Sequence, residues 1–348
     1  MKDLAINGMN CSGAELACTP PAPAASPARE KEGTDWAGLW FTLLEREYGE
    51  FVGMRGGLRT SDDQIRWIFL SHADYDGIGG FVTLLRKMFP GRVIKIPSRL
   101  TAKPSWYFQA AALLRLLVRN QAPAAAWKGF DATWKSTGPS PGTEVSTLTL
   151  DAMQSRRLGE RARAHRVALN TLLLSALDRA CRAELEPGTS RWMMPVNMRG
   201  PVALARETAN QTGYLQILMD EAASPRDVQH QVNLAVRRGD HWASWLYLNA
   251  GRLVGYGGMR RLYRFQTDRF GGRPFVGAFA DLGRWEGIGQ WCVCPPVALT
   301  CPLGAGSITC DGRLSLTIEA HLSIRREAGW TRALLNRWLA ILDADHGA

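Results

Sequence analysis

The sequence contains no Cys-x-x-Cys pair, and its seven cysteines form an odd set in which Cys292 and Cys294 stand one residue apart. That spacing suits neither a zinc finger nor a disulfide-stapled scaffold, so buried or free thiols in a reducing compartment are the expected state. The start of the chain, Met1-Lys2-Asp3, lacks the apolar stretch and cleavage site of a signal peptide, and no uninterrupted apolar run is long enough to cross a bilayer. A cytoplasmic location is expected. Long basic runs are missing too: arginine doublets at 156–157, 237–238, 260–261 and 325–326 are short and scattered, with no zinc-finger, RRM or basic-zipper pattern around them. Nucleic acid is therefore not the expected partner. No repeat of fixed period is present, which excludes solenoids. Histidine is scarce, with none between residues 73 and 164.

What is present is length and positive charge. A chain of 348 residues exceeds one ordinary compact domain, so two lobes are expected. The formal net charge of +10 favours an anionic partner: a phosphate-bearing cofactor, an acidic carrier protein or a lipid surface. Residues 1–34 are rich in Pro and Ala around Thr19 to Pro27, and such a composition cannot bury enough apolar surface to order itself, so a disordered tail is expected there. Residues 35–140 read as the first lobe. The Pro- and Gly-rich stretch Ser136 to Gly142 marks the boundary, and 141–348 reads as the second lobe.

The informative stretch lies in the first lobe. Trp36 to Tyr48 has helical character with Gly49 as its stop, and Gln64 to Leu70 reads as a strand that delivers Ser71 and His72 at its end. Asp76-Gly77 follows, then Gly79-Gly80, then a helical pattern from Phe81 to Phe89 ended by Pro90-Gly91. A lone His in an apolar setting is commonly a hydrogen-bonded structural residue. Placed at a strand end before Asp-Gly-x-Gly-Gly, it suits a general base, because its unperturbed pKa near 6.5 leaves the ring mostly neutral at pH 7. His165, His230, His241, His321 and His346 have no such context and read as surface or packing residues. Trp106 to Arg119 forms an apolar helix carrying Arg115 and Arg119; an ordinary core-facing helix is the plainer reading, and peripheral contact with a membrane is the other.

Further along, Glu144 to Leu150 reads as a strand. Asn170-Thr171 reads as the cap of a helix with Leu173, Leu174 and Leu177 at helical spacing. Extended stretches are expected at 192–198, 214–219 and 275–279. Ser307 to Ile318 around Asp311-Gly312 gives a hairpin, and 330–342 a closing helix.

Two resemblances meet at the motif. Phe69 to Gly80 resembles the His-x-His-x-Asp-His-x-Gly-Gly signature of metallo-beta-lactamases, yet Asp74 and Gly77 stand where imidazoles would be needed to hold metal. Ser71-His72-Ala73-Asp74-Tyr75-Asp76-Gly77 also resembles the His-His-x-x-x-Asp-Gly signature of the coenzyme A-dependent acyltransferase superfamily, which includes chloramphenicol acetyltransferase, condensation domains and wax ester synthases. Ser71 replaces its first His. The order of later segments agrees: Ala168 to Leu177, then Met194-Pro-Val-Asn-Met-Arg-Gly200, then Asn210 to Tyr214, and Phe279-Ala-Asp-Leu-Gly283 near a family Ser-Asn-Leu-Gly.

This second resemblance implies an α/β (α+β) fold of two lobes, a chloramphenicol acetyltransferase-like sandwich, each lobe a mixed sheet with helices. The first lobe is shortened, since His72 follows only about 36 residues of foldable chain. It implies acyl transfer from a coenzyme A or carrier-protein phosphopantetheine thioester to a small-molecule hydroxyl or amine, with His72 as base and no metal or tightly bound cofactor. Asp76, Gly77 and Arg199 would support the site structurally, with Arg199 the candidate partner of Asp76, and Ser71 and Asn197 would contact substrate or oxyanion, although Asn197 and Arg199 could equally satisfy a strand end and a local backbone hydrogen bond is the plainer reading of Ser71. Asp281 reads as a turn residue beside Gly283. Two other functions stand beside this one: a noncatalytic condensation-like protein that binds an acyl carrier or partner enzyme, and a metallo-beta-lactamase-like hydrolase.

Overall fold

The computed structural model describes residues 35–49, 51–99, 102–119, 125–131, 144–270, 275–324 and 327–344. The expected tail at 1–34 and boundary loop at 136–142 lie outside the described residues. Helix α1 (Trp36–Leu43) starts at Asp35, whose Oδ1 accepts from the Gly38 amide at 2.7 Å. It runs into a π-helical turn, Leu44–Tyr48, closed by Gly49 in the left-handed region at φ 66°. Strands β1 (Gly53–Arg59) and β2 (Ile65–Ser71) form an antiparallel pair, and α2 (Gly77–Met88) lies over them, burying Phe81, Val82 and Leu85 against Met54 and Leu70. Helix α2 starts four residues before the expected Phe81, because Asp76 caps it with a hydrogen bond to Gly79. Helix α3 (Trp106–Arg119) follows.

The second sheet has six strands. It begins with β3 (Val145–Thr149), followed by α4 (Ala152–Ala164) and α5 (Leu169–Cys181). Ala168, not Asn170 or Thr171, is the cap of α5: Gln229 Oε1 accepts from the Ala168 amide at 2.7 Å and from Thr171 Oγ1 at 2.9 Å, so a side chain from a distant helix does the local cap's work. Then come β4 (Ser190–Asn197), β5 (Thr212–Met219), α6 (Pro225–Arg238), α7 (Asp240–Leu248) and α8 (Gly251–Phe270), the last bent at Gly255. Strands β6 (Gly277–Trp285), β7 (Trp291–Cys294), β8 (Leu303–Cys310) and β9 (Arg313–Ala320) precede the closing helix α9 (Trp330–Ala344).

The large sheet runs β3-β9-β8-β6-β4-β5, parallel at β4/β6 and β6/β8 and antiparallel elsewhere. Its core gathers Leu173, Leu177, Trp192, Phe279, Leu316 and Trp338 between the sheet and its helices. Strand β7 leaves this sheet and pairs antiparallel with β1, so the small sheet, β2-β1-β7, is completed from far along the chain. Ile308 and Cys310 of β8 pack into the small sheet's core, and Arg55 Nε meets Glu319 Oε1 at 2.9 Å across the two. The five described cysteines are unbridged and buried. No described helix is long and apolar enough to cross a membrane.

Candidate active site

Strand β2 ends at Ser71, and the His72 amide donates to the Val52 carbonyl at 2.8 Å, which fixes the base of the turn. The ring of His72 meets Phe41 of α1 edge to face, with centroids 4.8 Å apart. Its Nδ1 is buried and has no hydrogen-bond partner among the described residues. Burial pulls the imidazole down to a pKa of about 4, against the smaller opposing pulls of the Asp76 carboxylate and the Tyr75 carbonyl. The ring is therefore neutral across the physiological range.

Asp76 is fully buried, and its carboxylate is the node of the turn. Oδ1 accepts from the Gly79 amide at 2.7 Å and from Arg199 Nη2 at 2.9 Å. Oδ2 accepts from Arg199 Nη1 at 2.9 Å, the Gln211 amide at 2.8 Å and Thr212 Oγ1 at 3.0 Å. Arg199, also buried, donates further to the carbonyls of Glu207 and Ala209 and to Asn197 Oδ1. The pair thus ties the start of α2 to the ends of β4 and β5, and a paired, hydrogen-bonded charge is the only kind that sits at such depth without heavy cost. From the same β5 approach, Asn210 Nδ2 donates to the His72 carbonyl at 3.2 Å, while Asp35 Oδ2 accepts from the Asn210 amide.

Ser71 turns to the other side: its hydroxyl donates to Glu45 and accepts from the Ala73 amide, and burial raises the Glu45 carboxyl. Asn197 lines the cavity beside His72, but protein holds both ends of its amide, with Nδ2 donating to the Pro97 carbonyl and Oδ1 accepting from Arg199. A Cβ at Gly77 would meet only Leu282 Cδ2, at 3.7 Å. The crowded position is Gly79, where a Cβ would lie 2.2 Å from the Thr208 carbonyl oxygen and 2.9 Å from Arg199 Nη2. Gly79→Ala is accordingly expected to lower stability by about 1–3 kcal/mol, although alanine normally favours a helix. Gly159→Ala in α4, where the added methyl meets nothing within 4 Å, is expected to raise it by about 1 kcal/mol. Urea midpoints of the two variants measure the contrast, and a shift of the same sign in both would contradict it.

His72 opens into a cavity of about 280 Å³ between the small and large sheets, walled by α1, β1, the start of α2, β4, β5, α7, α8, β6 and β7. Most of the wall is apolar or aromatic. Asp281 lies on it as well, so the residue read as a turn former is a cavity residue; the parallel pairing of β6 with β8, which sets Asp281 opposite Ser307, could not be seen from local pattern. Among the described residues no cluster of His, Cys, Asp or Glu has the arrangement of a metal site.

Neither a protein-family model nor a curated protein matches the chain. Solved structures do. The condensation domain of the monacolin K polyketide synthase MokA aligns over 81% of this chain and 69% of its own, with a TM-score of 0.51 at 13% identity. Polyketide synthase associated protein 5 from Mycobacterium tuberculosis aligns over 82% and 74%, with a TM-score of 0.50 at 16% identity. The cyclization-docking bidomain of EpoB from Sorangium cellulosum aligns over 82% and 61%, with a TM-score of 0.52 at 12% identity. The chain has the condensation-domain fold. This is the architecture that the acyltransferase resemblance implies, and within the condensation-domain fold His72 sits where the two sheets face one another across the cavity.

Proposed function

We propose that the chain is an acyltransferase that moves an acyl group from a thioester to a hydroxyl or amine acceptor, with His72 as general base. The observation that carries this reading is a neutral imidazole held by a rigid turn on the wall of a largely apolar cavity. The imidazole takes the proton as the acceptor oxygen or nitrogen attacks the thioester carbonyl, forming a tetrahedral oxyanion. Collapse of that intermediate re-forms the carbonyl, breaks the C–S bond and returns the proton from the imidazolium to the departing thiolate. Asp76 and Arg199 hold the turn and take no proton.

The donor would be acyl-coenzyme A or an acyl-phosphopantetheine arm on a carrier protein, and the net positive charge of the chain suits either. Contact with an acyl source at a membrane surface would fall to α3, where Trp106, Tyr107, Leu114 and Val118 are exposed. The test is incubation of the purified protein with acyl-coenzyme A thioesters and panels of alcohols and amines, reading free thiol and product together. Thiol release without acylated product, or none of either across donors including acylated carrier proteins, would remove the assignment; carrier binding without turnover would favour a noncatalytic role.

The acid limb of the pH profile is a second check. A base must be unprotonated, so activity falls as pH falls through its pKa. Here kcat/KM is expected to hold down to about pH 5 and to fall through about pH 4, well below the limb of an exposed imidazole. Initial rates in mixed buffers measure it, and a half-point near that of free histidine would contradict a buried base.

A further inference from the structure

Among the described residues, Asp281 is the sole acidic residue on the cavity wall, and none there is Lys or Arg. It sits at the irregular point of β6, before Gly283 in the left-handed region at φ 74°. One carboxylate oxygen is fixed: Oδ1 accepts from Ser307 Oγ at 2.9 Å and from the Gly283 amide at 3.1 Å. Oδ2 has no hydrogen-bond partner and no ion pair among the described residues. Solvent reaches the residue, yet protein surrounds it, and this encirclement raises its carboxyl; the Gly283 amide and Ser307 oppose it, with Arg284 the least of the three.

The rest of the wall makes this acid more unusual. Trp40, Phe41, Tyr214, Tyr247, Tyr263 and Phe275 present their rings to the same cavity. Trp40 meets Tyr247 at 5.3 Å and Tyr263 at 6.0 Å between centroids, and Tyr214 meets Phe275 at 5.8 Å, so the rings form braced groups with little freedom to swing away. Aromatic faces attract cations and offer nothing to an anion. A carboxylate with a free oxygen, set among such rings on a wall without Lys or Arg, is complementary to a positively charged group and less favourable to a neutral apolar one.

We propose that Asp281 selects the acyl acceptor by pairing with a cationic group on it, an ammonium held by Oδ2 while a hydroxyl on the same molecule reaches His72. This inference rests on the acyl-transfer reading for the role of the ligand but not for its binding. The substrate class is then an amino alcohol or a related compound with one neutral nucleophile and one cation. The cation stays charged because it is spatially separate from the nucleophile, which His72 alone must deprotonate.

Binding measured by calorimetry, with no thioester present, tests the site apart from turnover. The probes are linear ω-amino alcohols from ethanolamine to aminooctanol and the matching α,ω-diols, titrated into the full chain. At the best length, the amino alcohol is expected to bind about fivefold more tightly than its diol, the scale of one charge pair that solvent still reaches. Asp281→Asn is expected to reduce that ratio to about twofold or less, whereas His72→Ala keeps it. Equal affinity for amino alcohol and diol at every length in the unmutated protein would overturn the proposal, as would undetectable binding of all the amino alcohols or a preference that survives in Asp281→Asn. The comparison in the unmutated protein needs no variant to fold. Absence of acyl transfer alongside a clear amino-alcohol preference would sink the catalytic reading and leave this cation site standing.

Discussion

Arg199→Ala is expected to lower the unfolding free energy by about 3–5 kcal/mol, because it leaves the Asp76 carboxylate fully buried without its counter-charge. The loss reaches beyond the pair. Arg199 also donates to the Glu207 and Ala209 carbonyls; Gln211 Nε2 still donates to the first at 3.2 Å, so it is the buried Ala209 carbonyl that loses a charged donor together with the carboxylate. Lysine does not substitute: a point charge with a flexible stem cannot span both carboxylate oxygens and two carbonyls as the planar guanidinium does. Guanidinium or urea denaturation measures the effect, and a loss below about 1 kcal/mol would mean that water reaches and satisfies Asp76. A double variant, Asp76→Leu with Arg199→Met, is expected to recover a large part of the stability, since removing both charges removes the penalty that removing one creates. Recovered stability would not bring the turn back, because Asp76 also caps α2 through Gly79.

The largest effect on activity is expected at His72. His72→Ala should lower kcat by about 100- to 10,000-fold under saturating donor, the range that a positioned general base supplies. The fold should barely notice. The ring's contact with Phe41 is lost, but so is the cost of a buried, unpartnered Nδ1, and the two changes oppose one another. Stability close to the unmutated protein together with a collapsed kcat separates a chemical role from a structural one. Undiminished turnover in a folded His72→Ala protein would take the base away from this residue.

How much of this could be read from the sequence depended on whether the signal was local. The strand that delivers His72, the glycine-rich turn after it and the closing hairpin were legible because each is a short run with its own stop, whereas the cap that Asp76 supplies was not. Strand β1 was not: Gly53-Met-Arg-Gly-Gly-Leu-Arg lacks β-branched residues, and its glycines are there because Cβ atoms at Gly53 and Gly57 would run into Phe69 and Trp67 of β2. Strand β7 is four residues long, too short to show alternation. Helices α6 to α8 left little trace, the last interrupted by Gly255 at φ 63°. At the site, the motif named His72 and Asp76 and the resemblance named Arg199, but the carboxylate's other partners, the Gln211 amide and Thr212, come from the approach to β5, and Asp281's partner from β8. Such pairings belong to topology, and no window of sequence contains them.

The loan of β7 to the small sheet has a temporal consequence. Strand β1 cannot acquire its second neighbour until the chain has been made as far as Cys294, the Asp76–Arg199 pair closes over 123 residues and the Arg55–Glu319 pair over 264. Contacts this distant form late and slowly, after the entropy of closing large loops has been met. The histidine turn, though it lies early in the sequence, lacks the partners of its Asp76 carboxylate until residues 199 to 212 have been made. A nascent chain that already holds the whole motif would not yet have its turn braced.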